Sequence, residues 1–270
     1  MRSDRLRPDE PSGGIDLTQE HLKSIAYEVM MRQGSPQQPF GLYVFASQDD
    51  GAELARAVER RVFDDAYGNG PAVMSSEYAP YEFSSLFTCI IDHKRLIPVA
   101  ATRLIGPGGL GWKTMDDLAR IWGVPGPIAL HAAGLKADPT RLWDCATLAV
   151  EPAYRKAFLV QATIGSMGVV TGTVGTEIAL ALMDTKALRV VQHLCGRPFS
   201  ALAGFEARQY LDSPATLPVW TDVPAFRRRL ADTGDAALGV MFLASYFEPA
   251  VRGLVPGDII EALARNDAAR

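Results

Sequence analysis

Asp144 sits inside an apolar run at 142–150 (LWDCATLAV) that reads as a strand. A carboxylate on a central strand beside a reactive cleft can take the proton of an attacking ammonium, directly or through water, if burial raises its pKa. The alternative role is a hydrogen-bonded structural carboxylate, with Arg103 as its counter-ion. Arg103 ends the apolar run 98–102 (PVAAT), where its planar guanidinium can hold a substrate carboxylate through two parallel bonds or form a structural ion pair. Glu77 and Glu82, within EYAPYE (77–82), are further candidates for a base or an amine anchor, against a plain surface position. No nucleophile with an adjacent histidine and carboxylate is visible, so no covalent enzyme intermediate is expected.

Other chemistries find little support in the totals. The 270 residues carry a formal charge of −4, and the cluster Arg227-Arg228-Arg229 reads as a solvated helix face, so a nucleic-acid partner is not expected. No apolar run reaches the roughly 18 residues of a membrane span. Cys89, Cys145 and Cys195 are odd in number, lack a paired short spacing and lie in apolar stretches, as buried thiols do. His21, His93, His131 and His193 form no i, i+4 ligand pair, so no metal site is expected. The opening MRSDRLRPDEPSGG reads as a disordered leader over residues 1–15, and the protein as cytoplasmic.

The elements that would position these residues follow from periodicity and punctuation. Leu22, Ile25, Ala26, Val29 and Met30 recur at helical spacing behind Asp16 or Thr18 as a cap. GLYVFAS (41–47) is a strand, and 52–67 is a helix striped by Leu54, Val58, Val62 and Phe63, which Gly68-Asn69-Gly70-Pro71 stops. The β-rich runs 84–92 and 96–105 are joined by His93-Lys94-Arg95, a hairpin signal. A helical piece at 115–122 precedes an insertion through 139. Strand 142–150 leads through Pro152 into a helix toward Val170, and 176–183 (TEIALALM) is a strand covered on both faces. Asp184 or Thr185 caps a helix ending at Gly196. Strand candidates at 204–211 and 217–220 flank Ser213-Pro214, and helices near 224–232, 235–247 and 256–266 close the chain. This order predicts one mixed α/β domain over 16–270, with a helical extension from about 223.

Three stretches carry a resemblance. Arg61-Val62-Phe63 followed by EYAPYE, the run ending Arg103-Leu104, and Asp144-Cys145-Ala146-Thr147-Leu148-Ala149-Val150 occur in the order seen in acyl-homoserine-lactone and N-acyl amino acid synthases. The stretch 191–205, with Tyr210 and Pro218, resembles their later helix, turn and final strands. The chain is thus similar to the GCN5-related N-acetyltransferase superfamily over roughly 52–222. That resemblance implies a mostly antiparallel twisted sheet whose fourth and fifth strands splay apart to admit the pantetheine arm of an acyl thioester. It also implies substrate contacts from Arg61, Phe63, Arg103, Trp143 and Thr147, although Trp143 itself points to the opposite strand face, toward the core. The thioester carrier would meet Leu148, Ala149, Val150, Arg155 and Lys156, the last two alternatively a surface pair.

Departures from the family pattern are specific. The Gly-rich pyrophosphate loop is absent, with Ala157, Phe158 and Leu159 in the glycine positions, and residues 184–195 hold no tyrosine to protonate a leaving thiolate. Thr147 stands where the lactone synthases carry arginine, so lactone formation is not expected. The expected function is transfer of an acyl group from acyl-CoA or acyl carrier protein, as co-substrate rather than tightly bound cofactor, to the amine of a small metabolite or amino acid in secondary metabolism. A homodimer and a carrier-protein complex fit this reading. The alternatives are a catalytically silent binding or interaction protein on the same fold, and unrelated chemistry on it.

Overall fold

The computed structural model describes residues 18–33, 37, 39–136, 138–155 and 159–232. The leader at 1–15, Lys156, and the helices expected at 235–247 and 256–266 lie outside the described residues.

Helix α1 (Gln19–Gln33) starts where Thr18 Oγ1 accepts from the His21 N–H at 3.3 Å, and its Leu22, Ala26, Val29 and Met30 are buried. Strand β1 (Phe40–Ala46) and helix α2 (Ala52–Tyr67) match their expected extents closely, and α2 stops at Gly68, whose φ of 69° is the left-handed value that glycine supplies cheaply. Strands β2 (Ser85–Asp92) and β3 (Ile97–Ile105) form the expected hairpin. Two helices went unsignalled: α3 (Pro71–Tyr78), beginning at the proline read as a stop, and α5 (Gly126–Ala132), inside the expected insertion. Between them lies the short α4 (Lys113–Asp117), continued by a wider π-type turn over Leu118–Trp122.

Strand β4 (Leu142–Val150) is followed by a 3-10 turn at Pro152–Tyr154 and helix α6 (Leu159–Thr173). Strand β5 (Ile178–Asp184) passes into α7 (Thr185–Leu194), which Asp184 caps by accepting from the Lys186 and Ala187 N–H groups at 2.8 and 3.1 Å. Strands β6 (Ser200–Ala201), β7 (Arg208–Tyr210) and β8 (Ser213–Asp222) precede α8 (Val223–Asp232). Ser213-Pro214 opens β8 instead of separating two strands, and the strand expected over 204–211 shrinks to β7.

The eight strands make one sheet in the order β1-β2-β3-β4-β5-β8-β6, with β7 also on β8; β4–β5 is the parallel pair and the other pairings are antiparallel. Alternation along the strands sends side chains to two cores. Leu42, Leu86, Ile90 and Trp143 pack with α6, α7 and α8, whereas Tyr43, Phe87, Cys89 and Ile91 pack with α1 and α2. A third cluster joins Leu118, Trp122 and Leu130 to Leu142 and Leu180.

Gly106, directly after β3, lies against the indole of Trp143. A Cβ built there would sit 2.8 Å from its Cη2, so the residue is glycine because the ring needs that space. Gly106→Ala is expected to cost roughly 1–3 kcal/mol, as overpacking does, read as a lower urea midpoint at unchanged slope.

Candidate active site

The geometry begins with β4 and β5. They pair for three residues, Leu142–Ile178, Trp143–Ala179 and Asp144–Leu180, and then part. The remaining six residues of β4 run about 20 Å without a β5 partner. On its other edge β4 carries a bulge: Thr147 is opposite Arg103 and Cys145 is opposite Leu104, leaving Ala146 as the extra residue. Bulges of this kind re-aim strands next to functional sites. Tyr78 donates its hydroxyl to the Ala146 carbonyl at 3.2 Å, and the Arg103 N–H is taken by Thr147 Oγ1 at 3.1 Å.

A cavity of about 490 Å³ occupies the gap. Leu148, Val150, Leu182 and Met183 line its open length with Phe63 of α2 and Val190 of α7. Arg155, Asp184 and Lys186 stand at the end where both strands finish. At the opposite end, where the strands still pair, the wall turns polar with Tyr78, Lys113, Thr114, Asp117, Thr147 and Tyr210.

The polar end is rich in ion pairs. Lys113 Nζ donates to Glu77 at 2.6 Å and Asp117 at 2.9 Å, with the rings of Tyr78 and Tyr210 beside it at 5.2 and 5.5 Å. Tyr210 donates to Asp117 Oδ2 at 2.6 Å, tying the end of β7 to α4, and Arg120 bonds both carboxylates. Burial acts to raise the Glu77 pKa, but Lys113 and Arg120 outweigh it and hold the carboxyl below its ordinary value.

A second network sits behind Thr147. The Arg103 guanidinium gives two bonds to Glu59, at 3.2 and 2.8 Å, and one to Glu82 at 2.7 Å, and it stacks over Tyr78 and Phe87. The face formed by Nε and Nη2 is thereby filled by Glu59, and Arg103, 4% exposed and absent from the cavity wall, acts as a buried structural clamp. Thr147 also donates its hydroxyl to Glu59. Burial would lower the Arg103 pKa, and the two glutamates overcome that and raise it.

Asp144 is fully buried and is not paired with Arg103. Its Oδ2 accepts from the Thr114 N–H at 2.6 Å and its Oδ1 from the Thr114 hydroxyl at 2.8 Å. Loss of solvent pushes the carboxyl up to about 7, against the pull of the Thr114 bonds and the Lys113 charge.

The other sequence candidates separate by position. Phe63, Thr147, Leu148, Val150 and Arg155 line the cavity. Trp143 packs in the principal core and Ala149 in the core under α2, and neither lines the cavity. Arg61 pairs with Glu151 at 2.7 Å and reaches the Pro98 carbonyl, a surface clasp. Glu82 bonds Arg103 and Arg56, and Glu77 bonds Lys113 and Arg120, so neither carboxylate is unpartnered. Sequence reasoning missed Glu59, Tyr78, Lys113, Thr114, Asp117 and Tyr210. One sequence signal existed: Glu59 falls among Ala55, Val58 and Val62 on the apolar stripe of α2.

Among the described residues no helix is long and apolar enough to cross a membrane, and no group of three His, Cys, Asp or Glu side chains could hold a metal. No protein-family profile and no curated protein matches the sequence. Solved structures do match. FeeM, an N-acyl amino acid synthase from uncultured soil microbes, aligns with a TM-score of 0.50 at 13% identity, covering 73% of this chain and 99% of that one. BjaI, a CoA-dependent acyl-homoserine lactone synthase solved with SAM and isopentyl-CoA, gives 0.49 at 15%, covering 77% and 90%. The acyl-homoserine lactone synthase LasI gives 0.46 at 9%, covering 75% and 95%. The likeness to FeeM is one of fold: the chain has a mixed α/β fold similar to that of FeeM.

Proposed function

We propose that this protein is an N-acyltransferase moving an acyl group from an acyl thioester, acyl-CoA or acyl carrier protein, to the amine of a small metabolite or amino acid. The observation that carries this reading is the gap between β4 and β5: apolar side chains line it where the strands have parted and polar ones where they still pair. A thioester arm suits the apolar length, and an amine suits the end where Asp144 lies behind Thr114. The cations Arg155 and Lys186 at the open end fit the phosphate of a coenzyme or the acidic face of a carrier protein. In this reading residues 16–270 act as one catalytic unit in the cytoplasm, serving secondary metabolism, and the acyl carrier is a co-substrate.

Attack is direct. Cys145 lines the cavity, but burial holds its thiol well above its usual pKa, which leaves it a poor nucleophile. A binding protein without catalysis is the second reading, favoured by the absence of any tyrosine on α7 and of any glycine at 150–159.

The test is thiol release from a panel of acyl-CoAs and an acylated carrier protein, each supplied with pooled amino acids. Ala66 is an exposed residue of α2 on the cavity wall, so Ala66→Trp adds bulk to the opening without touching the core. It is expected to cut release at subsaturating thioester at least about tenfold, because about 1.4 kcal/mol of lost thioester binding suffices. Wild-type protein that releases no thiol, yet shifts its melting temperature with a thioester, would select the binding reading.

A further inference from the structure

Asp144 is placed to receive a proton but not to touch the group that loses one. Its side chain has no exposure and does not form part of the cavity wall. Thr114 stands between, lining the cavity and bonding both carboxylate oxygens, one through its N–H and one through its hydroxyl. An ionised carboxylate only accepts, so the one hydroxyl proton of Thr114 is committed to Asp144, while a hydroxyl oxygen can also accept. No described residue donates to Thr114 Oγ1.

We propose that the Thr114 hydroxyl is a catalytic relay that carries the proton of the acceptor amine to Asp144. The inference rests on the acyl-transfer reading. The amine nitrogen bonds to the thioester carbonyl carbon as its proton passes to Thr114 Oγ1. The hydroxyl's own proton moves at the same time to Asp144 Oδ1. The C–S bond then breaks with its electron pair leaving on sulfur. Asp144 returns its proton through the same hydroxyl to the thiolate, so amide and free thiol leave and the protein is unchanged.

Three features support this assignment. The two Thr114 bonds fix the carboxylate in place, so no rearrangement is needed before transfer. Removal from water brings Asp144 to about 7, a value suited to a base near neutral pH. The nearest alternative carboxylate on the wall, Asp117, already accepts from Lys113, Tyr210 and Arg120.

The experiment compares Thr114→Val and Thr114→Ser with wild type for thiol release and for melting temperature. Valine keeps the shape and the N–H bond but has no hydroxyl; serine keeps both. Thr114→Val is expected to lower kcat about a hundredfold, within the range of general acid–base effects. KM should stay within about twofold and Thr114→Ser should keep most of kcat, the pattern of an interaction made only in the transition state. Folded Thr114→Val with wild-type kcat would overturn the relay while leaving acyl transfer standing. A wild type that releases no thiol from any thioester would overturn both. Should the valine variant fail to fold, Thr114→Ala removes the same hydroxyl, and retained kcat there would equally remove Thr114 from the mechanism.

Discussion

Arg103→Met is expected to lower the unfolding free energy by roughly 3–5 kcal/mol, the cost of stripping one partner from a buried ion pair. Methionine fills much of the same space, so the loss is chiefly electrostatic. Glu82 keeps a partner, since Arg56 also bonds it. Glu59 does not: it is 1% exposed, and without Arg103 it retains the Thr147 hydroxyl but no cation. An uncompensated buried carboxylate must either stay charged at high cost or take up a proton. Glu59→Gln in the Arg103→Met background removes that charge and should restore at least about half of the loss, a coupling expected of neighbours sharing one network. Chemical denaturation of the four proteins at neutral pH measures the cycle. A cost below about 1 kcal/mol for Arg103→Met would place the guanidinium among weak surface pairs and contradict its burial.

That cluster also shows where the sequence stops being informative. Glu59 on the apolar face of α2 could be flagged as a buried carboxylate, yet its counter-ion lies 44 residues away on β3, and only the packing of α2 over the sheet brings them together. Arg103 and Asp144, one strand apart, looked like natural partners. Asp144 falls opposite Ile105, two residues along β3 from Arg103, and Thr114 holds it while Glu59 and Glu82 take the guanidinium. Partners 30 and 44 residues away leave no mark in LWDCATLAV, so the counter-ion alternative failed for want of long-range information.

Elements with strong punctuation fared better. The β2–β3 hairpin, α2 with its glycine stop, and the Asp184 cap of α7 all have local causes, and their extents came out within a residue or two. Helix α3 had none: PAVMSSEY buries only Met74 and Tyr78, and its proline reads equally as an end or a beginning. Tyr78 and Tyr210 reach the site from α3 and β7, and the second meets Asp117 across 93 residues. The parted strands were expected from the family resemblance alone, and the gap they leave is lined by Tyr78 and Lys113, which no local pattern of the strands announces.

Asp144→Asn is expected to stabilise the protein at alkaline pH while removing its activity. Burial raises the folded-state pKa to about 7, from about 3.9 for an unperturbed aspartate. Between those values the native state holds a proton that the unfolded chain has released. The contribution of Asp144 is therefore complete below about pH 4 and is lost as pH rises through about 7, on the order of 4 kcal/mol in total. Asparagine is neutral throughout; its oxygen can accept from the Thr114 N–H and its amide can donate to Thr114 Oγ1. The groups facing this carboxyl are Lys113 and Asp117 from α4, Tyr78 and Tyr81 beside it, and Cys145 next in the strand. Burial holds both phenols and the thiol above their ordinary values, so they stay protonated across the window. The wild-type-minus-variant difference in unfolding free energy should accordingly fall from about pH 4 to about pH 7, level off above, and reverse sign in favour of the variant, by on the order of 2–4 kcal/mol at the upper end. Thiol release by the same variant should drop by about 10²–10⁴, the usual range for loss of a general base. Gain of stability with loss of turnover is what a carboxylate kept for chemistry produces. Parallel stability curves, or an Asp144→Asn variant as active as wild type, would return Asp144 to a purely structural role.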